Sequence, residues 1–359
     1  MDRRRYLATL GATAALGGCA GRSGTGSDPA GSDDTATTDG VATETLATGL
    51  EIPWGAAYRD GTLYLTERPG RIVRLVDGSV APVVESVDGV RHAGEGGLLG
   101  LAFHPSEPSA YTHQTYEAGD GLANRLVRHD LTDGWAAEPL LTGIPGAHIH
   151  DGGRLLVHDD ALYMTCGDAS AAPNAQDSDV LAGSVLRVTL DGEPHPDNPA
   201  DSPVFSYGHR NPQGLAVRDG RLYSTEHGPS VADEINVLRA GENYGWPDAR
   251  GPSDDDRFTD PLAHYSPTIA PASATFYDGP IEAWQGDFFF GTLKAEHVRR
   301  VRFGDGDVIE QERLFEGAYG RIRTVFTGPD GHLHAVTSNR DGRGAPVEAD
   351  DRLLRFIPA

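Results

Sequence analysis

The chain has 359 residues, 46 of them glycine and 24 proline, and carries a formal charge of −23 at pH 7. Glycine and proline spread over the whole length point to many short elements joined by turns and away from a helical bundle. Acidic residues scattered through every segment leave no basic face for nucleic acid or an anionic membrane surface.

Of the 30 basic residues, only Lys294 is a lysine. An acidic, lysine-poor surface suits a protein working in high salt, where at 1 M the Debye length falls to roughly 3 Å and self-repulsion is screened. A codon bias toward GC accounts for the missing lysine but not for the surplus of Asp and Glu. Two methionines and 8 % aromatic residues predict a core built mainly of Val, Leu, Ile and Ala on pleated surfaces.

The first residues read as targeting. Arg3-Arg4-Arg5-Tyr6-Leu7 resembles a twin-arginine export signal, and the apolar run Ala8 to Gly18 is too short to span a bilayer. Leu16-Gly17-Gly18-Cys19 looks like a lipobox, which would make Cys19 the lipidated N-terminus. An ordinary secretory signal with an incidental cysteine is the plainer alternative. Residues 1–19 are therefore assigned to the signal and 20–41, rich in Gly, Ser, Thr and Asp, to a disordered tether. The expectation is an exported protein, lipid-anchored on the outer face of the cytoplasmic membrane. Cys166 stands alone in an apolar strand, so neither a disulfide nor a zinc site is available to the mature domain.

From residue 42 onward one pattern recurs six times. Each copy has an apolar strand, a turn, a strand of Leu-Tyr-x-Thr type, and a strand with a central arginine that ends near Asp-Gly. The copies start near residues 55, 100, 154, 214, 274 and 324, a spacing of about 45 to 60. That length suits a four-stranded blade and exceeds a leucine-rich or hexapeptide repeat. Alternation with period two and Asp-Gly turns predicts antiparallel strands. The fold class is thus all-β: a six-bladed β-propeller of four-stranded antiparallel blades over residues 42–359, with seven blades as the neighbouring count. A strand near Thr43–Leu50 is expected to join the last blade and close the ring.

Function is sought where the chain departs from the repeat. The first departure is His148-Ile149-His150-Asp151-Gly152-Gly153-Arg154, followed after one strand by Asp168. The glycines let the backbone approach closely, and Asp168 is placed to fix the tautomer of His150 for work as a general base. The second, Ser206 to Gly214, packs Tyr207, His209, Arg210 and Asn211 beside Pro and Gly, a poor strand and a better rigid loop. The third is Glu226-His227-Gly228-Pro229, with Asp233-Glu234 and Asn243-Tyr244-Gly245-Trp246-Pro247 behind it; carbonyls and carboxylates of this kind suit a hard cation such as Ca²⁺. The fourth is cationic: Lys294 follows an apolar strand, and Arg321 and Arg323, two apart, point to one face. Three cations could clamp a compact polyanion. Each of these features alone also has a bland reading, as a satisfied polar residue or an incidental charge.

Taken together and in order, Pro53-Trp54, TERPGRI (66–72), GEGGLLGLAFHP (94–105), H-x-GGR (150–154), YGHRNPQGL (207–215), EHGP…DEIN (226–236) and NYGWP (243–247) resemble the soluble quinoprotein glucose and aldose-sugar dehydrogenases, the glucose/sorbosone dehydrogenase family. The resemblance runs from about residue 46 to 356. It implies a six-bladed propeller that binds pyrroloquinoline quinone (PQQ) through Ca²⁺ and oxidises the anomeric hydroxyl of aldoses to lactones, with a separate electron acceptor. It also implies roles. His150 matches the general base and Asp168 the carboxylate that orients it. Arg210 and Asn211 match contacts to the quinone side, and His227 takes the place of a glutamine. Gly228 and Pro229 match the carbonyls that hold the PQQ calcium, and Lys294, Arg321 and Arg323 the cations on its carboxylates. Glu234 and Tyr244 resemble a structural Ca²⁺ site, and Glu95 a side chain facing the sugar. Ala270-Pro271-Ala272-Ser273 departs from the usual Ala-Pro-Ser-Gly run, and the short connections point to broad aldose specificity. A Ca²⁺-dependent propeller hydrolase of lactonase type and a non-catalytic ligand-binding propeller are the competing classes; neither needs both His150 and the cationic clamp.

Overall fold

The six repeats fold as six antiparallel sheets in a computed structural model that describes residues 36–38 and 40–359. The signal, Cys19 and most of the tether lie outside the described residues. The chain enters through β1 (Thr37–Thr38) and β2 (Val41–Ala47). Blade one runs from β3 (Pro53–Arg59) through β4 (Thr62–Glu67) and β5 (Arg71–Val76) to β6 (Ser79–Val84), each strand pairing the next. Blade two spans β7 (Leu98–Phe103) to β10 (Ala136–Gly146). Blades three, four and five begin at β11 (Leu155–His158), β15 (Pro212–Arg218) and β19 (Pro271–Phe276). The last blade joins β23 (Ile322–Thr327), β24 (Leu333–Thr337) and β25 (Leu353–Pro358) to β2, so the chain's two ends close the ring. The first strand of each blade touches its counterparts on either side, which places β3, β7, β11, β15, β19 and β23 around a central channel.

The entry strands correct the boundary drawn from sequence. Thr37–Thr38 and Val41 were assigned to the tether, yet they pair at the outer edge of the closing blade. Thr and Val are good strand formers, and the Gly/Asp composition around them masked the short β1.

Burial follows the blades: among the described residues each interface between neighbouring blades has its own apolar cluster. The aliphatic core expected from composition holds between blades two and three, where Leu126, Leu162, Leu186 and Val188 meet. Blade five departs from it. Its β20 (Phe288–Thr292) sends Phe288 and Phe290 to the blade-four side and Phe289 to the blade-six side, the alternation of a strand buried on both faces. Few aromatics suffice for a largely aliphatic protein, but here they are concentrated at one sector, with Tyr277, Trp284 and Phe356 beside Phe289. Two short 3₁₀ turns, Ala172–Gln176 and Glu282–Trp284, are the helical segments among the described residues.

Candidate active site

First strands start, and second strands end, at the same mouth of the channel, because neighbours in a blade are antiparallel. The chain segments just before β7, β11, β15 and β23 and just after β16 (Arg221–Glu226) and β20 therefore converge there. They form a cleft of about 380 Å³ lined by residues that include Glu95, His150, Arg210, Asn211, His227, Gly228, Pro229, Lys294, Arg321 and Arg323. Asp168 lies one hydrogen bond behind His150, and Glu234 and Tyr244 line a smaller pocket that shares Arg210, His227, Gly228 and Pro229 with the cleft.

On one side stands the imidazole. His150 Nδ1 lies 2.8 Å from Asp168 Oδ1. A carboxylate accepts and does not donate, so Nδ1 carries the proton and Nε2 keeps its lone pair. Asp168 is itself fixed: Oδ1 also accepts the Ser170 amide at 2.8 Å and Oδ2 accepts the Trp246 indole N–H at 2.9 Å. The backbone at His150 is left-handed, φ 69°, a conformation that a branched or bulky side chain rarely adopts and that clusters at functional sites. A Cβ on Gly167 would sit 2.0 Å from the His150 carbonyl, so glycine is required there for the turn to pack.

Glu95 holds the other side of this turn. Its Oε2 accepts the His150 amide at 3.0 Å and its Oε1 accepts from Arg343 at 2.6 Å. Burial alone would raise this carboxyl, but the His150 amide and the Arg343 guanidinium outweigh it and hold it down at about 2. Asn211 spans the gap: its Oδ1 accepts the Gly152 amide, and its Nδ2 lies 3.4 Å from Glu95.

Across the cleft the character changes. Lys294 is exposed at the rim. Arg321 donates to Asp341 through Nε and Nη2 and to the Leu293 carbonyl through Nη1, so one of the three cations expected to clamp an anion already has a carboxylate. Arg323 is buried; Nη1 donates to the Gln213 side chain, whereas Nε has no partner among the described residues. Burial pulls Arg323 down to about 9, against the pull of Asp341, which still leaves it charged at neutral pH.

Arg210 donates to the carbonyls of His227, at 3.1 Å, and Gly228, at 2.8 Å. Its guanidinium lies 5.3 Å from the Trp246 ring, and its Nε has no partner among the described residues. The Gly228 carbonyl considered for Ca²⁺ thus already accepts one hydrogen bond, and a metal there would use its second lone pair. Burial drives His227 down to about 4, so it is neutral at neutral pH, and its Nε2 is buried without a partner among the described residues. In the adjoining pocket, Glu234 accepts from Gly251 and Asn236, while burial and Glu226 push it up to about 8. The Tyr244 hydroxyl donates to Val237, and its ring stacks on His209 at 4.7 Å.

Sequence reasoning missed three participants. Arg343 and Asp341 sit in the excursion between β24 and β25, where no repeat pattern marks them; the break itself, Asn339-Arg340-Asp341-Gly342-Arg343, was the available signal. Trp246 lies within NYGWP, where nothing in the sequence ties it to the base; its bond to Asp168 links the fourth blade to His150.

A sequence model of the glucose/sorbosone dehydrogenases matches residues 50–354. This chain belongs to the glucose/sorbosone dehydrogenase family. It is 30 % identical over 335 residues to the aldose sugar dehydrogenase YliI of Escherichia coli, covering 83 % of this chain and 90 % of that one. It is 35 % identical over 255 residues to quinoprotein glucose dehydrogenase B of Acinetobacter calcoaceticus, covering 59 % and 52 % of the two chains. Among solved structures, the PQQ-bound aldose sugar dehydrogenase of Streptomyces coelicolor superposes with a TM-score of 0.81 at 36 % identity, over 89 % of this chain and 99 % of that one. Family membership makes the cleft of this chain the place to look for sugar-dehydrogenase chemistry.

The donor set fits PQQ. A tricarboxylate needs cations at one end of a dry cleft and an acceptor for a substrate proton at the other. The buried Arg323 Nε, without a partner among the described residues, and Lys294 at the rim of the same cleft supply the first, and His150 Nε2 the second.

Proposed function

We propose that this member of the glucose/sorbosone dehydrogenase family oxidises the anomeric hydroxyl of aldoses to lactones, using PQQ and Ca²⁺, with His150 as general base. The observation that carries this reading is the opposition of the His150–Asp168 pair to an under-satisfied cationic wall, inside a chain whose net charge is −23. When bound, PQQ supplies the two-electron oxidant and Ca²⁺ polarises it as a Lewis acid.

The chain's own residues do the rest. Lys294, Arg321 and Arg323 would take the carboxylates of PQQ, with Asp341 holding Arg321 in place. The carbonyls of Gly228 and Pro229 would face the calcium. Arg210 and Asn211 would lie against the quinone, beside a neutral His227. His150 Nε2 takes the hydroxyl proton, and Asp168 stabilises the imidazolium that forms, a contribution of about 10²–10⁴-fold. Trp246 and Ser170 keep Asp168 aimed at Nδ1. Glu95, ionised and paired with Arg343, would meet the sugar at the rim. Glu234 and Tyr244 would belong to a second, structural calcium site. The reading extends to location: export, and an anchor through Cys19, rest on the first residues of the sequence.

The test is reconstitution in high salt with PQQ and Ca²⁺, a panel of aldoses and a dye acceptor. Dye reduction that needs all three components is expected. A chain that neither shifts the PQQ absorbance nor reduces the dye refutes the reading.

A further inference from the structure

The channel has a second mouth, at the end opposite the cleft. There a cavity of about 410 Å³ is walled by the first strands of all six blades, including Ala56, Leu101, Leu156, Leu215, Ala274 and Thr324. Arg154 lines this cavity and does not line the cofactor cleft. Its residue is 8 % exposed, its Nε donates to the neutral Gln213 carbonyl, and its Nη2 has no partner among the described residues. The one other charge on the cavity wall that could neutralise it, Asp278, is held by Arg218 at 2.7 Å. The charge that acts on Arg154 most is another cation, Arg323, which donates to the side chain of the same Gln213. The hydroxyls nearby are committed: Thr324 donates to the Trp54 carbonyl, and Ser273 to that of Val325.

Buried charges in proteins are normally paired, because desolvation without a partner is severe. The Trp54 ring, 4.1 Å from the guanidinium, covers one face, and a cation–π contact recovers only part of that penalty. The donor-bearing edge is left without a counter-charge. We propose that the cavity at this second mouth binds one small monovalent anion of halide size against the guanidinium of Arg154. One guanidinium without a counter-charge, in a wall whose other guanidinium, Arg218, is already held by Asp278, selects a weakly hydrated anion carrying one charge and offers little to a larger polyanion. The residues that line this cavity are distinct from those that line the cleft, although Arg154 and Arg323 meet at Gln213.

Crystals of the full chain, loaded with PQQ and Ca²⁺ and soaked in sodium bromide, give the test by anomalous scattering. A bromide peak in contact with Arg154 at the second mouth is expected, and its absence overturns the proposal. In solution, halide at constant ionic strength, balanced with a bulky sulfonate, should raise the thermal midpoint saturably. Arg154→Gln should abolish that rise; should Arg154→Gln fail to fold, Arg154→Lys, with one donor head in place of the fork, should weaken it several-fold. A peak without any saturable rise means an adventitious ion only and refutes the site. A response to acetate but not to halide refutes the halide assignment. PQQ binding is read in the same samples, so loss of either property leaves the other interpretable.

Discussion

The two walls of the cleft are built to opposite standards. Around the base, Asp168 has a donor on both oxygens, Glu95 has donors on both of its own, and the His150 amide is bonded. Across from it, among the described residues, Arg323 and Arg210 each keep an Nε with no partner, and Lys294 reaches the rim without a carboxylate. A buried donor left unmade destabilises by about 1–3 kcal/mol. The difference says that the base is preorganised by the protein alone, whereas the cationic wall is finished by what it binds. It also explains why Asp341 is present: it neutralises Arg321 and lies 3.9 Å from Arg323, so the wall stays folded without ligand.

The most severe way to break the comparison is Asp168→Asn. An amide can donate to Nδ1 and leave the proton on Nε2, so kcat should fall about 10²–10⁴-fold while the PQQ titration is unchanged. An equal loss of PQQ affinity would mean that the two walls are not separable.

Next is the cationic side. Arg323→Ala should weaken PQQ binding by about 1.5–3 kcal/mol, the worth of hydrogen bonds to a charged group, with kcat at saturation little altered. Lys294→Ala, at an exposed rim, should weaken it by under about 1 kcal/mol. Equal effects at the two positions would contradict the ranking by burial.

The base wall has one flaw that sharpens the contrast. Asp151, next to His150, accepts from Asn124 and Ala147 through Oδ1 but leaves Oδ2 unpartnered. Burial pushes its carboxyl up to about 6, against 3.8 for the free group. The folded state then holds this proton more tightly than the unfolded one. Stability contributed by the neutral acid is present in full below about pH 4 and is lost as pH rises through 6. Asp151→Asn should therefore raise the unfolding free energy from urea titration at pH 7.5, on the order of 2–3 kcal/mol, and the gain should vanish near pH 4. A variant less stable at pH 7.5 would refute the burial argument.

The smallest effect tests the link between blades. Trp246→Phe removes one donor from Asp168 and should lower kcat about fivefold, near 1 kcal/mol, with KM and PQQ affinity unchanged. A shift in KM alone would place Trp246 on the substrate instead.

The blades were legible because strand alternation and Asp-Gly turns repeat, and each copy reports on the next. β20 was read as a strand from Phe288-Phe289-Phe290, although its part in an aromatic sector was not, since composition averages over blades. Within the site, His150, Asp168 and the Arg321/Arg323 pair stood out because they interrupt a pattern. Arg343 and Asp341 did not, because an irregular excursion between strands has no period to break; only its path back over the mouth brings them to Glu95 and Arg321. Arg154 is visible as part of H-x-GGR, but its separation from the cleft depends on which way one side chain turns just before β11 begins.

The central claim is that the base wall acts on the substrate and the cationic wall holds the cofactor. His150→Ala tests it most directly, with PQQ titration and aldose turnover measured on the same Ca²⁺-loaded sample. The account predicts parent-like PQQ affinity and kcat lowered about 10²–10⁴-fold. Turnover within a few-fold of the parent, or loss of PQQ binding in step with activity, would contradict it.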